Sequence, residues 1–433
     1  MSCKSVESQL VVASGSISEK EEPLVQKLPE PDRGRAWIAM VGGALGLYSS
    51  FGYINVVGLF EAYYLHHQLD GYSASTVSWI TSLQFFILLV GGVFFGRLAE
   101  MYGPRPVAIV GMLFTVGGIM ATSECKTYYQ FLLAQGICTS IGNSCVYYAS
   151  MVACNTWFVK RRATALGVVV GGSSIGGVTL PFVFSQLQPK IGFNDTVRVI
   201  GYIMLGVGVI CCVCISSRLP PNKKLRKNFF NFRQEVIEPY KNKSFAMMTA
   251  ALFVSYWGLV TTMGYMSTHA ISHGMSETVS FYLVAIYNGA SFLGRILPGI
   301  MADKVGTYNM HSVCCVLCGI ILLAFWIPSN SNAAFFTFSG VFGFISGPYI
   351  GLFAALVAEV SEPHEIGRRL GVVTFFCSWA ALTAMPIAGA TLDEGHTSFV
   401  GLQVFAGVTM MVGGFMVFAA KMQVPGQTWL SKF

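Results

Sequence analysis

Twelve apolar stretches, each near the roughly 20 residues that a helix needs to cross about 30 Å of hydrocarbon, decide what this chain can become. They lie near 36–60, 76–96, 106–122, 128–151, 163–186, 197–216, 246–268, 279–300, 309–327, 333–357, 370–391 and 399–420. None alternates in the manner of an outer-membrane strand, and a backbone in lipid must satisfy its own polar groups, so each stretch reads as a helix. Only 11% of the residues are charged, against about 25% in soluble domains, too few to cover a water-exposed surface. The expected fold class is an all-α polytopic membrane protein with twelve transmembrane helices.

Charge sets the orientation. Of 27 Lys and Arg, sixteen fall in alternate loops, including Arg97, Arg105, Lys160 to Arg162, eight between Arg218 and Lys243, Lys304, Arg368 and Arg369. The opposite loops hold Lys126, Lys190 and Arg198. By the positive-inside rule both termini and the central loop are expected in the cytosol, with the plasma membrane the expected location. The formal charge of +7 is thereby accounted for without a nucleic-acid partner. Residues 1–31, rich in Ser, Glu, Lys and Pro, read as a disordered cytosolic tail with no signal peptide, so the first span itself directs insertion.

The second organising feature is an internal repeat. Gly96-Arg-Leu-Ala-Glu-Met-Tyr-Gly103 resembles Gly299-Ile-Met-Ala-Asp-Lys-Val-Gly306, and both follow the second span of their half. Gly167 and Gly371 then follow at matching distances, each after an Arg pair, Arg161-Arg162 or Arg368-Arg369, with Pro181 and Pro386 beyond. Transporters commonly duplicate a bundle and bind substrate between the copies. The expected organisation is a six-helix bundle over 32–217, a basic cytosolic linker over 218–245 lying on the anionic membrane surface, a second bundle over 246–421 and a cytosolic tail over 422–433.

Most of the twelve cysteines fall inside spans, where cysteine is a small apolar filler, so neither a metal site nor any cofactor is expected. Asn194-Asp-Thr is a glycosylation sequon placed in an outer loop. No nucleophile with a base, and no phosphate-binding loop, appears at a spacing usable for catalysis, so the chain does not read as an enzyme.

Gly96-x-Leu-Ala-Glu-x-x-Gly-x-Arg105 resembles the signature loop of the major facilitator superfamily, with Asp303 the matching acid of the second half. Glu100 and Arg105 there are suited to charge pairs or helix caps that close one side and break in the other state. Trp157-Phe-Val-Lys-Arg-Arg-Ala-Thr-Ala-Leu-Gly, continuing to Gly-Gly-Ser-Ser-Ile-Gly176, is similar to the fifth-span signature of the monocarboxylate porter family. Asp32-x-Gly-x-Ala-Trp37 is similar to that family's approach to its first span. The resemblance extends from Asp32 to the last span and looks like the fungal branch. Lys160, Arg161 and Arg162 place positive charge at the cytosolic mouth, suited to lipid phosphate and to gating.

Arg295 is the strongly charged residue placed deep in a span, where a cation costs about 2.5–3.5 kcal/mol on insertion scales and so should face a cavity. Helical spacing sets Ser291 and Asn288 on its face. The family resemblance implies that Arg295 binds substrate. It also implies an aspartate where Ser291 stands and a lysine where Asn55 stands, so both charges tied to proton coupling are absent. Asn143, Tyr148, Tyr256 and Trp379 are further pathway candidates, suited to an amphipathic organic molecule. The expected function is alternating-access transport of a small organic solute or anion, either export of a fungal secondary metabolite or uptake of a monocarboxylate. A non-transporting nutrient sensor on the same fold is the alternative of another class. No protein partner is indicated.

Overall fold

The computed structural model describes residues 28–222, 225, 230–392 and 398–424. Most of the 1–31 tail, six positions of the linker and most of the 422–433 tail lie outside the described residues. Among those described, nine helices are long and apolar enough to cross a membrane, ten when one bent pair counts as a span. The run Arg162–Cys214 holds 53 residues, far beyond one crossing, and leaves helical geometry at Gly192, where φ is +82°. Dividing it there and adding the more polar helical run 128–157 gives twelve crossings.

These are α1 (Arg35–His66), α2 (Ala74–Val90 bending by 43° into Gly92–Tyr102), α3 (Pro104–Thr122), α4 (128–157), α5 (162–191), α6 (193–214), α7 (Lys243–Ser272), α8 (Glu277–Val305), α9 (Thr307–Trp326), α10 (Asn332–Glu359), α11 (Ile366–Ala390) and α12 (Val400–Met422). Their apolar outer faces, such as Phe182, Val213, Leu113 and Phe415, are exposed, while polar residues such as Gln84, Asn143, Ser174 and Thr262 are buried between helices. That inversion of the water-soluble pattern is what lipid solvation demands.

Two expectations need correction. The outer loop expected between the fifth and sixth spans is reduced to the break at Gly192, because glycine takes a positive φ that lets one helix turn straight into the next. Asn194 therefore sits exposed in the first turn of α6 rather than in a loop, and Thr196 of its sequon is buried, its hydroxyl donating to the Gly192 carbonyl at 2.7 Å. The linker, expected on the membrane surface, instead sends Val236 into a small apolar cluster with Val93 of α2 and Val372 of α11.

Candidate functional site

The two halves meet at two related junctions, at the end of the bundle that carries the α2–α3 and α8–α9 turns. Each is built from the turn that follows the second helix of its half, where Gly103 and Gly306 take φ of +90° and +100°, backbone that an L side chain rarely adopts. Glu100, just before the first turn, accepts the backbone N–H of Gly367 at 2.7 Å and of Arg368 at 3.1 Å, and the Arg368 Nε at 3.0 Å. Asp303, just before the second, accepts the N–H of Ala163 at 2.9 Å and of Thr164 at 3.0 Å, together with the Thr164 hydroxyl. Each acid thus caps the first turn of a helix in the opposite half, where N–H groups lack intrahelical acceptors and the helix dipole favours negative charge.

Close backbone approach fixes the register of both junctions. A Cβ on Gly96 would come within 2.3 Å of the Gly367 carbonyl oxygen, and one on Gly371 within 2.1 Å of the Gly92 oxygen. On the other side, a Cβ on Gly299 would reach the Ala163 oxygen at 2.9 Å, and one on Gly167 the Arg295 oxygen at 2.3 Å. The glycines and acids of the repeat therefore correspond, but the two Arg pairs do not. Thr164 occupies the place of Arg368, and Gly92 the place of Arg295. One junction is ionic and the other is made of neutral donors.

The remaining charged residues at this end have separate tasks. Arg105 donates to the carbonyls of Ile215 at 3.1 Å and Val213 at 2.7 Å, so it caps the end of α6 within its own half and does not pair with Glu100. Lys160 and Arg161 have exposed side chains, and their backbone N–H groups are held by the Asp32 carboxylate at 3.1 and 3.0 Å. Asp32 also takes the Val159 N–H at 3.3 Å, which gives the acid before the first span a physical role in shaping the α4–α5 turn. Arg162 donates to the Phe158 carbonyl at 3.2 Å, with the carboxylates of Glu359, Asp32 and Asp303 in electrostatic range. A cleft at this end is lined by Glu100, Asn155, Thr156, Ser217, Pro221 and His364.

Deeper in the seam, one face of α8 gathers four of the sequence candidates. Arg295, 4% exposed, donates from Nη1 to the Val170 carbonyl at 2.7 Å and to the Ser173 hydroxyl at 2.6 Å on α5. Its Nε has no hydrogen-bond partner among the described residues. Ser291 is fully buried one turn away, and Tyr287 follows on the same face. Asn288 donates to the Asn55 side-chain oxygen at 3.3 Å, joining α8 to α1, and also to the Val284 carbonyl at 3.0 Å. Room for Asn288 exists because position 177 is glycine, where a Cβ would come within 2.8 Å of the amide.

The other candidates are dispersed. Tyr148 bridges the halves, its hydroxyl lying 2.9 Å from the Leu89 carbonyl and 2.6 Å from the Thr374 hydroxyl. Trp379 of α11 is partly exposed and meets Phe86 of α2 edge-on at 5.6 Å between ring centres. Tyr256 of α7 lies 6.0 Å from the ring of Tyr349, with Tyr147 of α4 in the opposite half within electrostatic range. Asn143 accepts from the Thr115 hydroxyl at 3.2 Å between α3 and α4, inside the first half and away from the seam. The polar contacts between halves run from this end to the level of Asn55 and Asn288, so this end of the bundle is shut.

Sequence reasoning passed over three residues. Glu61 falls beyond the span drawn at 36–60, yet α1 continues to His66 and Glu61 accepts a hydrogen bond from Thr81 of α2. His311 is fully buried on α9, 5.2 Å from the ring of Tyr349, and neither ring nitrogen has a partner among the described residues. A histidine within an apolar run was the available signal. Glu235, in the linker, carries no such signal.

The sequence of 36–385 matches the model of the Major Facilitator Superfamily, which matches again over 248–432. The chain is 38% identical over 395 residues to the fujikurins efflux protein of Gibberella fujikuroi, covering 90% of this chain and 84% of that one. It is also 38% identical over 414 residues to the aspyridones efflux protein apdF of Emericella nidulans, covering 94% and 83%. Among solved structures, the human organic anion transporter MFSD10 (TETRAN) superposes with a TM-score of 0.71 over 90% of this chain and all 100% of that one, at 11% identity, a likeness of fold alone. A twelve-helix chain with two related halves and acid-capped junctions between them, matched over most of its length by the family model and by these transporters, belongs to the major facilitator superfamily.

Proposed function

We propose that this transporter exports an amphipathic, partly anionic organic metabolite of fungal type by alternating access, with Arg295 as the anchor for the acidic group. The observation that carries the reading is a buried guanidinium in the seam, held by a carbonyl and a hydroxyl of α5 and keeping an Nε with no hydrogen-bond partner among the described residues. A planar, permanently charged fork in that state is suited to a carboxylate or enolate oxygen, which would bind there more strongly than in water. The surrounding seam offers tyrosine and asparagine side chains and apolar surface, the mixture expected of a site for a larger organic molecule. The names of the two efflux proteins support export as the direction. The lysine and arginine asymmetry supports an orientation with both termini cytosolic, and export from the cell would place the protein in the plasma membrane.

Uptake of a small monocarboxylate is the second reading, favoured by Arg295 and by the fifth-span likeness to monocarboxylate porters. Against it stands the Asn55–Asn288 contact, neutral where that family carries a charge. Purified protein in proteoliposomes decides between them. Export of aspyridone-type or fujikurin-type compounds, with no lactate counterflow under an imposed pH gradient, is the expected result. Stoichiometric proton-driven lactate flux would replace the first reading by the second, and binding without flux of either would make the protein a sensor.

A further inference from the structure

The segment joining the halves contributes to the cytosolic seam a residue that neither half contains. A helical turn over Arg233–Ile237 sets Glu235 between α2 and α11. Its carboxylate takes Nη1 of Arg97 on α2, and Nη1 of Arg368 on α11 at 3.2 and 3.0 Å. The three side chains are only 4%, 9% and 17% exposed for Arg97, Glu235 and Arg368. Arg97 donates a second time to the linker, to the Leu225 carbonyl at 3.2 Å. Beside the charges, Val236 packs with Val93 and Val372, flanked by Phe230, Tyr240, Phe375 and Phe376. The linker therefore grips both halves through one ionic and one apolar contact.

We propose that Glu235 is a positioning residue of the transport cycle, a latch that holds the cytosolic side shut and must release one arginine before that side opens. The proposal rests on the alternating-access reading, in which the cytosolic ends of α2 and α11 separate. A single carboxylate reaches Arg97 and Arg368 only while those helices are adjacent. Once they part, Glu235 holds one guanidinium and the other gives up an ion pair, Arg97 keeping the Leu225 carbonyl or Arg368 keeping Glu365, and water must make good that loss before the open state is stable, which sets a barrier against opening. The latch is one-sided, because the related α5–α8 junction is made by Asp303 with Thr164 and backbone N–H groups. Opening is thereby tied to movement of the linker on the α2–α11 side.

Hydrogen–deuterium exchange on the full chain in lipid nanodiscs tests this without any substrate. In Glu235→Gln, peptides covering the cytosolic segments 92–103 and 362–372 should exchange about tenfold faster, while the outer segments 60–74 and 386–392 exchange more slowly, because the cytosol-open population rises. Glu235→Asp, which keeps the charge on a shorter arm, should fall between wild type and Glu235→Gln. Wild-type exchange in Glu235→Gln would overturn the latch, as would faster exchange at both ends alike, which marks a loosened fold. Because no flux is read, failure here leaves the transport reading intact, and absence of flux in proteoliposomes would leave a measured latch intact.

Discussion

Replacing Glu100 by Gln keeps the size of the side chain and one acceptor oxygen but removes the charge that three donors share. With the α2–α11 junction closed, the carboxylate accepts two backbone N–H bonds and one guanidinium bond, and its side chain is 6% exposed. Arg368 keeps Glu235 and Glu365 as partners, so the substitution does not strand a buried cation. What is lost is the difference between charge-assisted and neutral bonds, together with one ion pair, about 2 kcal/mol in total. With that junction open, Glu100 faces water and loses almost nothing. The closed-to-open equilibrium should therefore shift by roughly thirtyfold. Nitroxide labels on Tyr102→Cys and Lys304→Cys, both exposed at the C-terminal ends of α2 and α8, report that shift by pulsed electron spin resonance. The longer-distance population should grow in Glu100→Gln and grow again when Asp303→Asn is added, since the two junctions share no partner. An unchanged distance distribution in the double variant would refute the idea that these acids hold this end of the bundle shut.

Other outcomes follow from the same geometry. Gly371→Ala places a Cβ 2.1 Å from the Gly92 carbonyl oxygen, a clash present only when α2 and α11 are packed together, so it should disfavour the closed state by about 1–3 kcal/mol in the same spin-label assay. Arg295→Ala should leave membrane insertion intact and raise the apparent KM for an anionic substrate at least about tenfold, as a charged hydrogen bond is lost, while neutral analogues are less affected. Asp32→Asn weakens three backbone N–H bonds that shape the α4–α5 turn and should lower thermal stability in detergent by about 1–2 kcal/mol, a loss read as an earlier unfolding transition.

Much of the architecture was legible in the sequence because lipid leaves a backbone few options. Apolar runs of bilayer length had to be helices, basic loops marked one side, and the paired Gly96–Gly103 and Gly299–Gly306 segments announced two related halves. Arg295 was legible for the same reason, since a charge in an apolar run stands out. Partners were not legible, because they depend on which helices meet. The Arg pairs looked equivalent along the chain, yet packing sets Thr164 where the other half has Arg368 and so makes one junction ionic and the other neutral. Arg105 had two possible uses, and only the nearness of the α6 carbonyls selected capping. Asn143 and Asn288 are the same residue type in similar apolar runs, and tertiary contact alone sends one to Thr115 within a half and the other to Asn55 across the seam. Glu235 was the least visible, an acid in a polar linker. Its importance comes from Arg97 and Arg368, distant in sequence and in opposite halves, being brought close enough for one carboxylate to hold both.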